Sequence, residues 1–219
     1  PHEGRTVAAG THHPGVEVGE AIAMAMAKVL PERSCPQIYK LGMPTIIVGQ
    51  HPETDEMFID HSVDVLAAYC NAVKGQDGWG SMPASFGNLI RATAEMNESI
   101  VPVRHECCDY ATDSGGAGQW RGCPGSRVVK RVLAPSAVST YMVGMKYPMA
   151  GLAGGMDGSP NKLTVRFEGE QASHIDCMAN AEPHAAGEAF EYLYGGGGGW
   201  GDPLLRDAQA LLEDVLDEY

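Results

Sequence analysis

The sequence predicts an α+β chain, mostly antiparallel and β-rich in its second half, with one helix near the N-terminus and an amphipathic helix at the C-terminus. Three observations predict it. Apolar residues recur at helical spacing over Val16–Arg33 and again, with acidic residues between them, over Leu204–Tyr219. From Ile100 onward, short β-branched and aromatic runs follow one another with glycine turns and no long helix between them, the pattern of antiparallel neighbours. Two glycine clusters, Asp113–Gly125 and Gly195–Gly201, sit inside that β-rich half, each preceded by a strand-like run.

The elements read in order as follows. Val16–Arg33 is the first helix, with Ile22, Met26, Val29 and Leu30 on one face, many alanines favouring the helix, and Pro31 and Pro36 limiting its end. Its Ala/Met face is expected to pack into a core. Thr45–Val48 and Met57–Ile59 are short strands joined by a polar turn over Pro52–Glu56. Ser62–Ala72 is ambiguous between strand and helix, Gly75–Gly80 is a Gly/Asp loop, and Phe86–Ala94 is a short helix candidate. Strands then follow at Val101–Tyr110, Arg127–Leu133, Ala137–Val143, Leu163–Phe167 and Glu188–Tyr194. Asp202 is placed to cap a helix start with Pro203 in the first position, and Asp207 to recap the final helix.

Composition excludes some functions. With 15 basic and 28 acidic residues the formal net charge is −13, so no nucleic-acid partner is expected, because duplex binding needs lysines and arginines on phosphates. There is no run of eighteen apolar residues, so no helical membrane span and no membrane partner are expected, and no signal-peptide pattern is present. The six cysteines form no Cys-x-x-Cys pair and read as free thiols of a cytoplasmic protein. Cys107 and Cys108 are adjacent on a strand and should face opposite ways. The histidines are scattered, without His-x-x-x-His or His-Glu-x-x-His, so no metal site is expected in this segment. Acidic residues concentrate at the C-terminus, as Asp202, Asp207, Glu213, Asp214, Asp217 and Glu218, which reads as a solvated helix face or as a docking surface for a basic partner.

The glycine clusters carry the candidate site. Asp113-Ser114-Gly115-Gly116 can form a turn whose N–H groups converge on an anionic oxygen. Arg121 can bind a carboxylate or phosphate in bidentate fashion, or bridge back to Asp113 across a hairpin-like connection. Neither Gly-Lys-Ser/Thr nor Gly-x-Ser-x-Gly occurs here, so this is no Walker loop and no nucleophile elbow. The substrate- or anion-binding candidates are therefore Asp113, Ser114, Gly115, Gly116, Arg121, Gly197, Gly198, Gly199 and Asp202; no catalytic residue is assigned. The Gly195–Gly201 run is expected to be ordered, anchored by Trp200, intolerant of side chains, and packed against Asp113–Gly125.

These motifs together resemble the hydantoinase B/5-oxoprolinase family, which includes acetone- and acetophenone-carboxylase-type subunits. The similar features are Asp113–Gly125, the run Gly195–Pro203 followed by Arg206-Asp207, the lead-in Gly4-Arg5-Thr6-Val7 with Leu30-Pro31-Glu32-Arg33, and the turn Gly151-Leu152-Ala153-Gly154-Gly155. Cys123-Pro124 departs from the family's usual Gly-Leu, and His12-His13-Pro14 replaces a charged helical stretch. The resemblance reaches only the C-terminal portion of such subunits, whose metal-binding His and Asp motifs lie upstream. It implies that residues 1–99 continue an upstream domain as a mixed α/β segment, with 100–219 as the β-rich C-terminal segment of a larger subunit. The start at Pro1 and the mid-helix end at Tyr219 suit a fragment, a processed piece or a split subunit.

The implied activity is ATP-dependent opening of a cyclic amide through a phosphorylated intermediate, with ketone carboxylation as the alternative and a non-catalytic scaffold as the second. The implied partners are the rest of the B-type subunit, a hydantoinase A-like ATP-binding subunit and a small-molecule substrate. ATP and a divalent metal belong to the whole complex, with neither held by this segment.

Overall fold

A computed structural model describes residues 14–38, 40, 42–61, 70–80, 92–165, 173–174 and 178–219. Among the described residues the strands form two antiparallel sheets. The first has four strands in the order β2 (Met57–Asp60), β1 (Gly42–Gln50), β5 (Ser136–Met142), β8 (Met178–His184). The second has five, in the order β3 (Val103–Ala111), β4 (Gly125–Val132), β9 (Ala189–Tyr194), β6 (Lys162–Val165), β7 (Ser173–His174). Strands from the first hundred residues thus share a sheet with strands from the second.

The two sheets close on one core. Ile47, Phe58, Val138 and Met142 come from the first sheet; Val103, Val128, Val132, Leu163, Val165, Phe190, Tyr192 and Tyr194 come from the second. The period-2 alternation puts them there. Along β5 every second residue from Ser136 to Met142 is buried, and on β9 Phe190, Tyr192 and Tyr194 set three rings side by side at 6.5 Å spacing. Each fully buried large side chain stabilises the sandwich by about 1.5–3 kcal/mol. One polar pair crosses the core: Lys130 Nζ on β4 lies 2.9 Å from Asp60 Oδ2 on β2, and both side chains are buried. The outer face of the second sheet carries the ion pairs Arg127–Glu191 and Arg131–Glu106.

The strand expectations hold within a residue or two, except that β1 begins three residues before Thr45 and that the end of the Leu163–Phe167 strand lies outside the described residues; the turn over Pro52–Glu56 closes the β1–β2 hairpin. Two strands were not foreseen. β8 carries Ala, Asn and Pro183, weak strand formers that an edge strand tolerates. β7 has two residues, too few to leave a pattern. The Ser62–Ala72 ambiguity falls almost wholly, and the Phe86–Ala94 helix largely, outside the described residues. The described short helix α2 runs Ala94–Glu98, with Thr93 accepting the Met96 N–H as its cap.

The first helix, α1, runs Pro14–Ala27 and so is shorter than expected; a 3-10 turn, Pro31–Arg33, follows. Pro31 disfavours helical backbone at the residue before it, and Leu30 sits at φ −132°, ψ 62°. The Ala/Met face does not enter a core: Ile22 is 59% and Met26 51% exposed. Among the described side chains of α1 the buried ones are instead those of Ala27 and Glu20, whose carboxylate accepts the Ile38 N–H at 3.1 Å. Helical spacing identified the apolar stripe but not what lies opposite it.

Candidate functional site

Three glycine-bearing segments meet at one end of the second sheet: Asp113–Gly125, Ala150–Ser159 and Gly195–Gly201. The last runs through the middle. Its N–H groups are handed out with a period of three. Gly196 and Gly199 donate to Ser159 and Met156, Gly197 and Trp200 to Cys123 and Trp120, and Gly198 and Gly201 to Gln37 and Leu152. A flat strand would bond to two sides; bonding to three requires roughly three residues per turn, as in a polyproline-type helix. Surrounded this way, the run has no room for side chains. A Cβ added at Gly195, Gly196, Gly198 or Gly199 lands on backbone of Ser159, Ser114, Ala150 or Ala117. Gly201 also has φ 76°. The run is therefore ordered, excludes side chains and packs on Asp113–Gly125. The role of Ala150–Ser159 and Gln37 as its other two neighbours had no sequence signal beyond the Gly-Leu-x-Gly-Gly turn.

This packing takes up several of the candidate residues. Ser114 Oγ donates to the Ala111 carbonyl and accepts the Gly125 N–H at 2.7 Å, closing the loop at its base. Gly116 N–H is given to the Gly197 carbonyl at 2.8 Å. Gly198 and Gly199 spend their N–H groups on Gln37 and Met156. Asp202 accepts the Leu204 N–H at 2.9 Å and caps the 3-10 turn Pro203–Leu205, with Pro203 in the first position as expected.

Asp113, Gly115 and Arg121 face outward instead, into a cleft of ≈ 450 Å³ between the glycine loop and the C-terminal helix. That helix, α3, runs Ala208–Leu216 and is capped by Asp207, which accepts the Gln209 and Ala210 N–H groups. Asp113 holds a left-handed backbone, φ 53°. Arg121 does not bridge to it. The Arg121 Nε donates to Asp214 Oδ1 of α3 at 3.1 Å, and its guanidinium stacks on the Tyr219 ring at 3.9 Å.

A second arginine completes a clasp. Arg206 binds Asp77 in fork fashion, both bonds 2.8 Å, and reaches Asp214 Oδ2 through Nε at 2.9 Å. Asp77 also accepts the Arg121 N–H at 2.6 Å. Partial burial works to raise the Asp77 pKa, but the Arg206 hydrogen bonds, the Arg121 N–H and the two positive charges outweigh it and hold the carboxyl below its ordinary value. The hydrogen bond to Asp77 and the two carboxylate charges in turn raise Arg206. By sequence, the Arg206-Asp207 pair stands out only as a motif, Asp214 belongs to a solvated face, and Asp77 is an anonymous loop residue. Nothing in a linear pattern joins positions 77, 121, 206 and 214.

Cys107 and Cys108 face opposite sides as expected: Cys107 meets Arg127 on the outer face, and Cys108 packs against the core. Cys123 is buried against Gly197, and burial pushes its thiol up to about 12, so it stays a thiol. Five cysteines among the described residues are free thiols. No group of three or more His, Cys, Asp or Glu among the described residues is arranged to hold a metal ion, and no helix among them is long and apolar enough to cross a membrane.

Comparison with known proteins places the chain. It is 29% identical over 215 residues to the beta subunit of caprolactamase from Pseudomonas jessenii, covering 94% of this chain and 36% of that one. It is 26% identical over 208 residues to the B component of a putative D-/L-hydantoinase from Pseudomonas sp. (strain NS671), covering 94% of this chain and 34% of that one. The chain thus spans about a third of the length of these relatives. The crystal structure of ATP-dependent caprolactamase from Pseudomonas jessenii matches over 99% of this chain and 38% of its own, with TM-score 0.87 and 26% identity. A nucleotide-free acetone carboxylase structure matches over 80% of this chain and 28% of its own, with TM-score 0.66 and 19% identity, a likeness of fold alone. The family model described as hydantoinase B/oxoprolinase matches residues 1–203, and the chain belongs to that family.

Proposed function

We propose that this chain is the part of a B-type subunit that forms the glycine bundle of an ATP-dependent enzyme opening a cyclic amide of the lactam, hydantoin or oxoproline kind. The observation that carries the reading is the likeness to the caprolactamase structure along almost the whole chain. In this reading a hydantoinase A-like partner uses ATP to phosphorylate the amide oxygen, and the B-type subunit hydrolyses the activated ring. A divalent metal would act there as a Lewis acid. The described residues offer no donor set for it, so no step is assigned to a metal in this segment.

The contribution of this chain is rigidity and shape. The bundle fixes Asp113, Gly115 and Arg121 on the wall of the cleft, where they are the candidates placed to touch a bound substrate, with Arg121 as the group that would meet an anionic oxygen. Ser114, Gly116, Gly197, Gly198, Gly199 and Asp202 support that wall from behind through backbone bonds and the cap. Acetone carboxylase shares the fold at lower identity, and that likeness carries no argument for carboxylation.

The test is reconstitution of the whole subunit with its ATP-binding partner, followed by assay of lactams, hydantoins and oxoproline for ring-opened product with matched ADP release. ATP-dependent ring opening is expected. Carboxylated product from a ketone and bicarbonate, with no ring opening, would move the chain to the carboxylase branch. Full turnover by a subunit lacking residues 100–219 would make this segment dispensable.

A further inference from the structure

The C-terminal helix is turned inside out. A surface helix ordinarily lays its apolar stripe on the core and its charges in water. In α3 the half-buried positions are Ala210 and Asp214, with Asp214 drawn inward by Arg121 and Arg206. The apolar stripe Leu211, Leu212, Val215 and Leu216 is 50–70% exposed; Leu211 and Val215, with Leu204, line the cleft beside Arg121, whereas Leu212 and Leu216 lie on the side turned away from it. Helical spacing puts Glu213 and Asp217 together along one edge of that stripe. From Asp207 to Tyr219 there is no Lys, Arg or His. Asp214 is neutralised inside the clasp and Asp207 is spent on the cap, so the edge of the stripe stays acidic.

We propose that this outward face of α3 is a docking surface for a basic amphipathic segment of the ATP-binding partner subunit. The inference rests on the B-type reading above. Contiguous apolar side chains at this exposure mark an interaction surface more than a solvated helix. Charge selects the occupant: an acidic or neutral helix would meet uncompensated carboxylates, whereas lysines or arginines flanking an apolar stripe would pair with Glu213 and Asp217. An apolar centre with a charged rim is also the anatomy of an interface between chains that are each soluble alone. The ion-pair clasp holds the helix in place without using Leu212 or Leu216, which leaves the side of the helix away from the cleft available.

The experiment uses the whole subunit and the ATP-binding subunit that co-purifies with it. Leu212→Asp with Leu216→Asp should weaken association by about 100-fold while leaving the melting of the B-type subunit unchanged, since both residues are exposed. Glu213→Lys with Asp217→Lys should slow association about tenfold at low salt and flatten its salt dependence. Amides of 208–216 should gain hydrogen-exchange protection only when the partner is added. Wild-type affinity in both variants, or full protection of 208–216 before the partner arrives, would overturn the proposal; the latter would mean that the subunit's own chain covers the face. If the wild-type protein takes up no ATP-binding partner, the B-type reading itself fails, a result separate from loss in the variants alone.

Discussion

Gly118→Ala probes whether the glycine bundle is a packed structure. A Cβ at Gly118 would stand 2.7 Å from each of three backbone atoms: the Trp120 carbonyl oxygen, the Trp200 nitrogen and the Trp200 oxygen. These atoms belong to a reciprocal bridge in which Trp120 N–H donates to Trp200 O at 3.0 Å and Trp200 N–H returns to Trp120 O at 2.9 Å. Ordinary contact needs several tenths of an ångström more, and these backbone atoms cannot yield that without opening the bridge. Loss of two buried hydrogen bonds removes about 2 kcal/mol. Overpacking costs about 1–3 kcal/mol more. The expected total is about 3–5 kcal/mol, a large part of the stability of an ordinary domain.

Gly187→Ala is the control. Its backbone is also special, φ +96°, but nothing lies within 4 Å of its added Cβ, so only about 1–2 kcal/mol of strain is expected. Urea unfolding followed by tryptophan fluorescence reads both, because Trp120 and Trp200 sit at the perturbed bridge. If Gly118→Ala proves no more destabilising than Gly187→Ala, the run is a spacer and the packing argument is wrong.

Gly197→Ala differs from its neighbours in kind, because its Cβ would meet the Cys123 sulfur at 2.8 Å; Cys123→Ala should restore part of the lost stability in a double-mutant cycle, whereas it should not rescue Gly118→Ala. Lys130→Met removes the buried pair with Asp60 and should cost about 3–5 kcal/mol, with Lys130→Met plus Asp60→Leu recovering most of it in thermal unfolding. The Asp77 carboxyl is held below its ordinary value of 3.8, so its share of stability is complete above that pH and is lost as pH falls through the lower folded value. Asp77→Asn should therefore lower the melting temperature at pH 7 and flatten the acid limb of a melting-temperature profile below about pH 4; an unchanged acid limb would remove Asp77 from the clasp. The Cys123 thiol, buried and pushed up to about 12, should resist iodoacetamide at pH 8 until denaturant is added, as read by peptide mass; labelling of the folded protein would contradict its burial.

Much of the strand content was legible because a half-buried strand repeats every two residues, and burial alternates along all of β5 and along β9 from Phe190 onward. β8 was not legible, since an edge strand with Pro183 has little need of strand-forming residues. Caps were legible for the same local reason: Asp202 and Asp207 act on N–H groups two or three residues away. The candidate site was half legible. Glycine clusters announce close backbone approach, but not which chain approaches, and Gly195–Gly201 took two neighbours besides the expected one.

What the sequence by itself determined was therefore periodic or local: the antiparallel strands, the two terminal helices, the capping aspartates and, through the spacing of its glycine motifs, the family. What only the tertiary structure decided was every partnership across distance. Arg121 pairs with Asp214 and not with Asp113, although Asp113 is far nearer in sequence. The apolar stripe of α1 faces outward, and that of α3 divides, Leu211 and Val215 lining the cleft and Leu212 and Leu216 facing out, because Asp214 is pulled inward by two arginines. A hydrophobic pattern specifies which residues share a face; whether that face meets the core depends on what the rest of the chain brings opposite it, and that is a property of the packed fold.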